Sequence, residues 1–197
     1  MRQPSEDRAD TIIGVVLDLL ESDGYDAVQV RAVASRARVS LATIYKLFGT
    51  RDQLIVAAME RWMDANAYSG LTMPEPDETP YETMVRVLRT VFEPWKRHPR
   101  MLEAYHRAMT SASGDRLVAH GLAIVKPIME AALPEANPEY LQDVELIHGH
   151  VVRAVIARFA DGEIAFVDVL PILERTLFRL TTNNELAANR LTPAVDG

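Results

Sequence analysis

A short stretch near the amino terminus carries side chains suited to contact with duplex DNA. Hydroxyl groups and one amino group occur there at close spacing, on Ser40, Thr43, Tyr45 and Lys46. We expect Thr43 and Tyr45 to contact phosphate and Lys46 to contact phosphate or a guanine edge. Two arginines and two apolar positions suited to thymine methyl groups complete the predicted DNA-binding set: Arg31, Ser40, Leu41, Ala42, Thr43, Tyr45, Lys46 and Arg51.

The charge around these residues is opposite to that of the whole chain. The 197 residues have a formal net charge of −7, which argues against a diffusely basic nucleic-acid-binding protein. Between Ala27 and Arg51, however, there is no Asp or Glu. Phosphate binding would then be confined to one face. The alternative is a solvated face of a small helical bundle. The basic residues of this stretch are Arg31, Arg36, Arg38, Lys46 and Arg51.

Two short helices must position these side chains. Apolar residues recur at helical spacing on either side of a break at Arg38, and Ser40 occupies the expected N-cap position of the second helix. This layout predicts a helix-turn-helix, whose second helix fits the major groove of B-DNA. The predicted packing positions are Val30, Val33, Ala34 and Ala37 in the first helix and Leu41, Ile44 and Phe48 in the second.

The order of motifs in the first quarter of the chain resembles the TetR family of bacterial transcriptional regulators. The matching motifs are Gly24-Tyr25, Val33-Ala34, Val39-Ser40, Thr43-Ile44-Tyr45, Phe48 and Thr50-Arg51-Asp52-Gln53-Leu54. Within that family, residues 26–34 are similar to the actinobacterial branch that represses sterol and cholesterol catabolism. The resemblance implies a homodimeric repressor that binds a palindromic DNA operator and is released when its carboxyl-terminal domain binds an effector.

Three residues depart from the pattern of the family. Arg38 stands where the family usually has Gly, and a side chain in left-handed backbone costs about 1 to 2 kcal/mol. Gln29 replaces the usual Thr before the first of the two helices, and Leu47 replaces a common His. We expect these departures to affect local stability and phosphate contacts, because none of them removes a groove-reading position.

Composition predicts a globular protein without catalytic chemistry. Hydrophobic residues make up 48% of the chain, and no apolar run reaches the roughly 18 to 20 residues of a membrane span. The polar, mixed-charge start does not resemble a signal or transit peptide, so the cytoplasm is the expected location. Neither glycine-rich phosphate-binding motifs nor Gly-x-Ser-x-Gly occur, and there is no cysteine. We therefore expect neither an enzyme nor a cofactor.

Helical periodicity continues along the chain and predicts an all-α protein of two domains. Residues 1–50 form the predicted DNA-binding domain of three helices, and residues 51–197 form a helical effector-binding and dimerisation domain. The helix over residues 51–68 connects the two, and residues 69–79 form a linker rich in turn residues. Helices of the second domain are predicted to begin near Thr79-Pro80, His98-Pro99, Ser113, Asn137-Pro138 and Asp168.

The helix from Pro138 predicts an oligomer interface. Its apolar residues cover more than half of the circumference, which is wider than the stripe of a one-sided surface helix. A central helix of a monomer fits this pattern nearly as well. We predict a homodimer because one helix-turn-helix reads only a half-site. The apolar set comprises Val144, Ile147, His148, Val151, Val152, Val155, Ile156 and Phe159, with Ile172, Leu173, Leu177 and Leu180 of the next helix as the partner surface.

Methionine and aromatic residues of the second domain suggest an effector pocket. Such side chains suit irregular apolar cavities, and Arg107 or Arg153 could orient an anionic group. The expected effector is apolar, such as an acyl-coenzyme A or a sterol-derived compound. His148 and His150 do not predict a metal site, because residues two apart on a helix point about 200° apart. The predicted effector-binding residues are Met84, Phe92, Trp95, Met101, Tyr105, Arg107, Met109 and Met129.

A second function class remains open at the level of sequence. The chain could be a helical ligand-binding or scaffold protein that does not bind DNA, with the amino-terminal bundle contacting another protein. Salt-dependent binding to duplex DNA would discriminate the two, because phosphate neutralisation releases counterions.

Overall fold

Helices make up all the regular structure that a computed structural model of this chain describes, over residues 4–182. The predicted all-α class is therefore confirmed for this range. No helix in it is long and apolar enough to cross a membrane. The helices are α1 (Pro4–Ser22), α2 (Val30–Ala37), α3 (Leu41–Phe48), α4 (Arg51–Met63), α5 (Pro80–Arg97), α6 (Pro99–Met109), α7 (Gly114–Ala132), α8 (Pro138–Ala160) and α9 (Phe166–Thr181).

Side-chain caps begin several of these helices where the sequence predicts them. Thr50 accepts a hydrogen bond from the backbone of Gln53, and the Gln53 side chain accepts one from the Thr50 backbone, so a capping box begins α4. Thr79 and Glu82 form the same arrangement before α5. Asn137 Oδ1 accepts from the backbone N–H of Glu139, 2.8 Å away, at the start of α8. After Met63, a π-helical turn extends α4 to Tyr68.

The described chain divides into two compact units. The first unit runs to Gly70 and also includes Glu93–Leu122, and the second unit comprises Leu71–Phe92 and the chain from Ala123. This division differs from the predicted domain boundary at residue 50. The reason is that α4 and α6 pack on α1 in the first unit, so they belong with the amino-terminal helices.

The core of the first unit holds the helix-turn-helix in place. Ile12 and Leu20 of α1 and Leu54 and Met59 of α4 are fully buried. Ile44 fixes α3 to this core, with only 1% of its surface exposed. Burying a side chain of this size contributes about 1.5 to 3 kcal/mol. Substitutions that create a cavity in this core are therefore expected to disturb the position of α3.

Arg38 ends α2 in a left-handed conformation. Its φ and ψ are 54° and 43°, so an arginine occupies a conformation that glycine adopts without a steric penalty. The backbone N–H of Arg38 bonds to the carbonyls of Ala34 and Ser35 and closes the helix. The turn therefore keeps its geometry despite the side chain, at a cost in strain.

Replacing Arg38 with glycine is expected to stabilise the fold. The free energy gained by relieving left-handed strain exceeds the entropic cost of the more flexible glycine in the unfolded chain. We therefore expect the free energy of unfolding to rise by between a few tenths and about 1 kcal/mol. Urea unfolding measures this change. The matched control is Arg36→Gly inside α2, which is expected to destabilise by about 1 kcal/mol. A loss of stability in both variants would contradict the strain argument.

Candidate nucleic-acid interface

Helix α3 presents one face to solvent. Ile44 anchors the opposite face, while Ala42 and Lys46 are exposed. Tyr45 exposes 52% of its surface and Leu41 exposes 39%. The predicted packing role of Leu41 is therefore wrong: in the first turn of α3 its side chain remains accessible, as its predicted DNA contact requires. Four of the predicted residues thus share one accessible surface.

The amino terminus of α3 carries two hydroxyl groups beside each other. Ser40 Oγ accepts a hydrogen bond from the backbone N–H of Thr43 at 3.1 Å, which confirms the predicted N-cap. The Oγ atoms of these two residues lie 2.9 Å apart. The remaining free N–H groups and the helix dipole make this end attractive to an anion. The arrangement suits a phosphate contact at the entry of the helix.

Exposed basic residues surround α3. Arg31, Arg38 and Lys46 are exposed, and no ion pair involving them occurs within residues 4–182. Arg36 lies 3.9 Å from a carboxylate oxygen of Asp23, a long and exposed contact. Because exposed pairs contribute little, Arg36 also adds to the positive potential of this face.

Arg51 makes its hydrogen bonds inside the first unit. Its Nε donates to the carbonyl of Val28 at 2.6 Å, and its Nη2 donates to the carbonyl of Tyr25 at 2.7 Å. The guanidinium group also lies over the Tyr25 ring, 4.7 Å from its centroid. Arg51 is thus turned into the first unit and holds the segment that precedes α2. A DNA contact of Arg51 stays a prediction.

The predicted effector residues fall into two groups. Met84 and Met129 pack with Val85 and Leu177 in one apolar cluster of the second unit. Trp95 of the first unit is buried, and its ring lies 5.5 Å from the ring of Tyr105. Phe92 belongs to the second unit, and Met101, Arg107 and Met109 belong to the first. Met84, Phe92, Trp95 and Met101 are buried core residues, whereas Arg107 is exposed.

Arg107 is paired with an acidic residue of the first unit. Its Nη1 and Nη2 atoms each lie 2.7 Å from a carboxylate oxygen of Asp26. The guanidinium group also lies 4.4 Å from the centroid of the Tyr25 ring. Because Asp26 already neutralises this charge, an effector contact of Arg107 stays a prediction that requires the pair to open. Of the two predicted cationic anchors, Arg153 remains exposed on α8.

A polar cluster of the first unit has no signal in the sequence. His120 Nε2 lies 2.7 Å from Asp64 Oδ1, and the rings of His120 and Tyr68 are 6.0 Å apart. Burial raises the pKa of Tyr68, whose hydroxyl contacts the sulfur of Met63 at 3.8 Å. A Cβ atom on Gly121 would lie 2.7 Å from that hydroxyl, so glycine makes room for the tyrosine. Residues so far apart in the chain are not linked by periodicity or motif.

The two histidines of α8 have different surroundings. Burial lowers the pKa of His148 to about 4, and its Nδ1 has no hydrogen-bond partner within the described chain. His150 is exposed, and its Nδ1 lies 2.7 Å from the carbonyl of Leu146. No cluster of three or more residues able to bind a metal occurs in residues 4–182. His148 is a neutral packing residue at physiological pH.

The apolar circumference of α8 is used partly inside the protomer. Val144, Val155 and Ile156 are buried, and α8 packs against α9 of the same chain. These three residues are thus not free to form a dimer interface, which corrects part of the predicted set. The apolar residues that remain exposed on α8 are Leu146 and Ile147, at 58% and 46%.

These elements define a helix-turn-helix protein whose recognition helix is accessible and basic. Residues 12–58 match the family model for bacterial regulatory proteins of the tetR family, and residues 77–180 match the tetracyclin repressor-like carboxyl-terminal domain. The second match covers more than half of the chain. This chain belongs to the TetR family of transcriptional regulators. The matched families and relatives are regulators and not enzymes.

Relatives include several repressors. The HTH-type transcriptional repressor KstR of Rhodococcus jostii is 30% identical over 135 residues, which cover 62% of this chain and 63% of that protein. The match therefore spans less than two thirds of that relative. KstR of Mycobacterium tuberculosis is 26% identical over 162 residues, covering 78% of this chain and 68% of that protein. The repressor NicS of Pseudomonas putida is 19% identical over 169 residues, covering 80% and 77%.

Solved structures show the same fold. A TetR regulator from Rhodococcus sp. RHA1 has a TM-score of 0.73 at 21% identity and covers 93% of this chain and 100% of its own. A TetR variant from Acinetobacter baumannii in complex with minocycline has a TM-score of 0.64 at 14% identity, covering 95% and 98%. At these identities the likeness establishes the fold alone.

Proposed function

We propose that this chain is a homodimeric repressor that binds a palindromic operator and is released by a small apolar effector. The observation that carries the DNA-binding part is the surface of α3. Ile44 fixes the helix, Ser40 caps it, and Tyr45 and Lys46 project from it in a stretch without acids. A helix presented in this way fits the major groove, and its flanking hydroxyl and amino groups suit phosphate.

Two observations support the homodimer. Leu146 and Ile147 form an exposed apolar patch on α8, with the small Ala154 nearby on the same face. That face is acidic near its beginning, at Asp143, and basic near its end, at Arg158. Antiparallel packing against a second copy would bring the acidic end of one helix to the basic end of the other. An interface of this kind is self-complementary, as twofold symmetry requires.

The effector proposal rests on composition and on relatives. Met84 and Met129 supply adaptable apolar surface in the second unit. KstR relatives and the likeness of residues 26–34 to sterol-catabolism repressors favour a sterol-derived or acyl-coenzyme A effector. The effector would bind more tightly to a form of the dimer in which the distance between the two α3 helices does not match the operator. The DNA-bound population would then fall in proportion to the difference between the effector's affinities for the two forms.

One binding experiment tests both parts. Fluorescence anisotropy measures affinity for duplexes that carry any inverted repeat found upstream of the gene and for scrambled versions of them, from low to high salt. We expect preference for the repeat and a steep loss of affinity with salt. Acyl-coenzyme A thioesters, free sterols and planar cationic drugs are then added to the complex. Salt-independent or absent binding would favour the scaffold alternative, and release by cationic drugs alone would replace the acyl-thioester proposal with multidrug sensing.

A further inference from the structure

Two arginines from different helices meet at Tyr25. Arg51 of α4 and Arg107 of α6 place their guanidinium carbons 4.7 Å and 4.4 Å from the centroid of the Tyr25 ring. Tyr25 is buried and begins a short 3-10 helix, Tyr25–Ala27, that leads to α2. A guanidinium group over an aromatic ring is an attractive contact. The start of the helix-turn-helix is thus attached to two helices that lie later in the chain.

Hydrogen bonds fix the same segment. Arg107 binds the Asp26 carboxylate through both Nη atoms, each at 2.7 Å, in a bidentate pair. The same hydrogen bonds hold the pKa of Asp26 below its ordinary value. Arg51 donates to the carbonyls of Tyr25 and Val28, so the backbone is held one residue before Asp26 and two residues after it. We call Tyr25, Asp26, Arg51 and Arg107 the latch.

Helix α6 contacts the end of α1 near its own start and the segment before α2 near its own end. Before its first turn, His98 Nδ1 lies 2.6 Å from Glu21 Oε1. Arg100 in its first turn donates to the carbonyl of Ser22. In its last turn, Arg107 binds Asp26. The end of α1 and the turn before α2 are therefore held by opposite ends of α6.

A purely stabilising role does not explain the Asp26–Arg107 pair. The Asp26 side chain is 79% exposed and the Arg107 side chain 47% exposed. Ion pairs so exposed contribute little to stability, because solvent screens the charges and both side chains lose rotamer freedom. A bidentate carboxylate pair instead gives geometric specificity, because the planar guanidinium fixes both distance and orientation. The geometry suits positioning of the segment before α2 better than it suits stabilisation.

We propose that Asp26 and Arg107 are positioning residues for operator binding, and that their ion pair fixes the segment that leads into α2 and α3. The proposal rests on the proposed DNA-binding function. Neither Asp26 nor Arg107 contacts DNA directly.

A double-mutant cycle tests the proposal. The variants Asp26→Asn and Arg107→Gln and the double variant are compared with the wild-type chain. The measured quantities are operator affinity, the slope of log affinity against log salt concentration (the salt slope) and melting temperature. Each single variant is expected to weaken operator binding roughly five- to thirtyfold, within the range typical of coupled sites. The double variant is expected to bind no more weakly than the weaker single variant. Salt slope should stay unchanged, because no phosphate contact is lost.

Hydrogen exchange supplies a readout that needs no DNA. Both single variants are expected to speed exchange of the amides from Tyr25 to Val33, including the first helical hydrogen bond of α2, from the Val33 amide to the Gln29 carbonyl. The matched control is Arg89→Gln, which breaks an ion pair with Glu174 in the second unit. This control should change neither exchange in that segment nor operator affinity.

Several outcomes would overturn the positioning role. A salt slope lowered by about one per half-site in Arg107→Gln would mean a direct phosphate contact. Additive losses in the double variant would mean that the two residues act separately, and a changed melting temperature with unchanged affinity and exchange would mean a structural role only. If the wild-type chain fails to bind the operator, the proposed function fails, while exchange near α2 still decides whether the latch holds that segment.

Discussion

Replacing Ile147 with glutamate is expected to dissociate the proposed homodimer and to weaken operator binding at least a hundredfold. Ile147 exposes 46% of its surface in the protomer, so the change leaves the protomer core intact. In a dimer the new carboxylates would lie buried without a partner, which costs several kcal/mol. A monomer carries one α3, whereas an operator-bound dimer places two recognition helices about 34 to 36 Å apart. Light scattering at micromolar concentration measures the mass, and anisotropy measures operator affinity.

A matched control separates dissociation from a general effect of the charge. Leu122→Glu introduces the same charge at an exposed apolar residue of α7, and this variant should remain dimeric. Val155→Glu, in contrast, is expected to unfold the protomer, because Val155 is buried between elements of the same chain. A wild-type chain that scatters as a monomer at micromolar concentration, or a dimeric Ile147→Glu variant, would contradict the interface on α8.

Features that depend on neighbouring residues are predictable from this sequence. Ser40 caps α3 and Thr50 caps α4 as expected, because each cap joins residues three positions apart. Ile44 is buried as the apolar periodicity predicts. Leu41 has the same spacing and is exposed instead, because it lies in the first turn of the helix, where the core no longer covers it. Periodicity predicts a face of a helix but not how far along the helix that face is covered.

Features that depend on distant residues could not be predicted. Arg107 and Asp26 are separated by 81 positions, so a sequence that places Arg107 in the carboxyl-terminal part suggests an effector anchor. The fold instead brings its helix against α1. For Arg51, local charge suggests DNA, whereas the carbonyls of Tyr25 and Val28 give its guanidinium group better partners within the protein. Composition identifies the charge of a side chain, and only the packing of helices determines which partner neutralises it.

Burial on α8 shows the same limit. An apolar circumference predicts contacts on two sides, and the sequence contains no information about which side faces α9. The structure assigns Val155 and Ile156 to the protomer and leaves Leu146 and Ile147 exposed. A charge at Ile147 therefore tests dimerisation better than a charge at Val155, because loss of association at Ile147 is separable from loss of folding.

Truncating Lys46 to alanine is expected to weaken operator binding about tenfold or more and to lower the salt slope. Lys46 is exposed on α3, within the stretch from Ala27 to Arg51 that has no acidic residue. A lysine that neutralises one phosphate releases counterions, so its loss lowers the slope of log affinity against log salt by about one per half-site. Loss of a guanine contact would instead cost about 1 to 3 kcal/mol and relax base preference at one position. Anisotropy titrations over a range of salt on the operator and on single-base variants distinguish the two contacts.

The chain offers a matched control for the change in charge. Lys126→Ala removes one lysine from α7 in the second unit, where its amino group lies 3.3 Å from Glu145, so the net charge changes equally. This variant should keep both the operator affinity and the salt slope of the wild-type chain. Equal effects of the two substitutions would show that binding responds to overall charge and not to α3. An unchanged affinity and slope in Lys46→Ala would remove Lys46 from the interface and leave Tyr45 and the Ser40–Thr43 hydroxyl pair as the contacts to test.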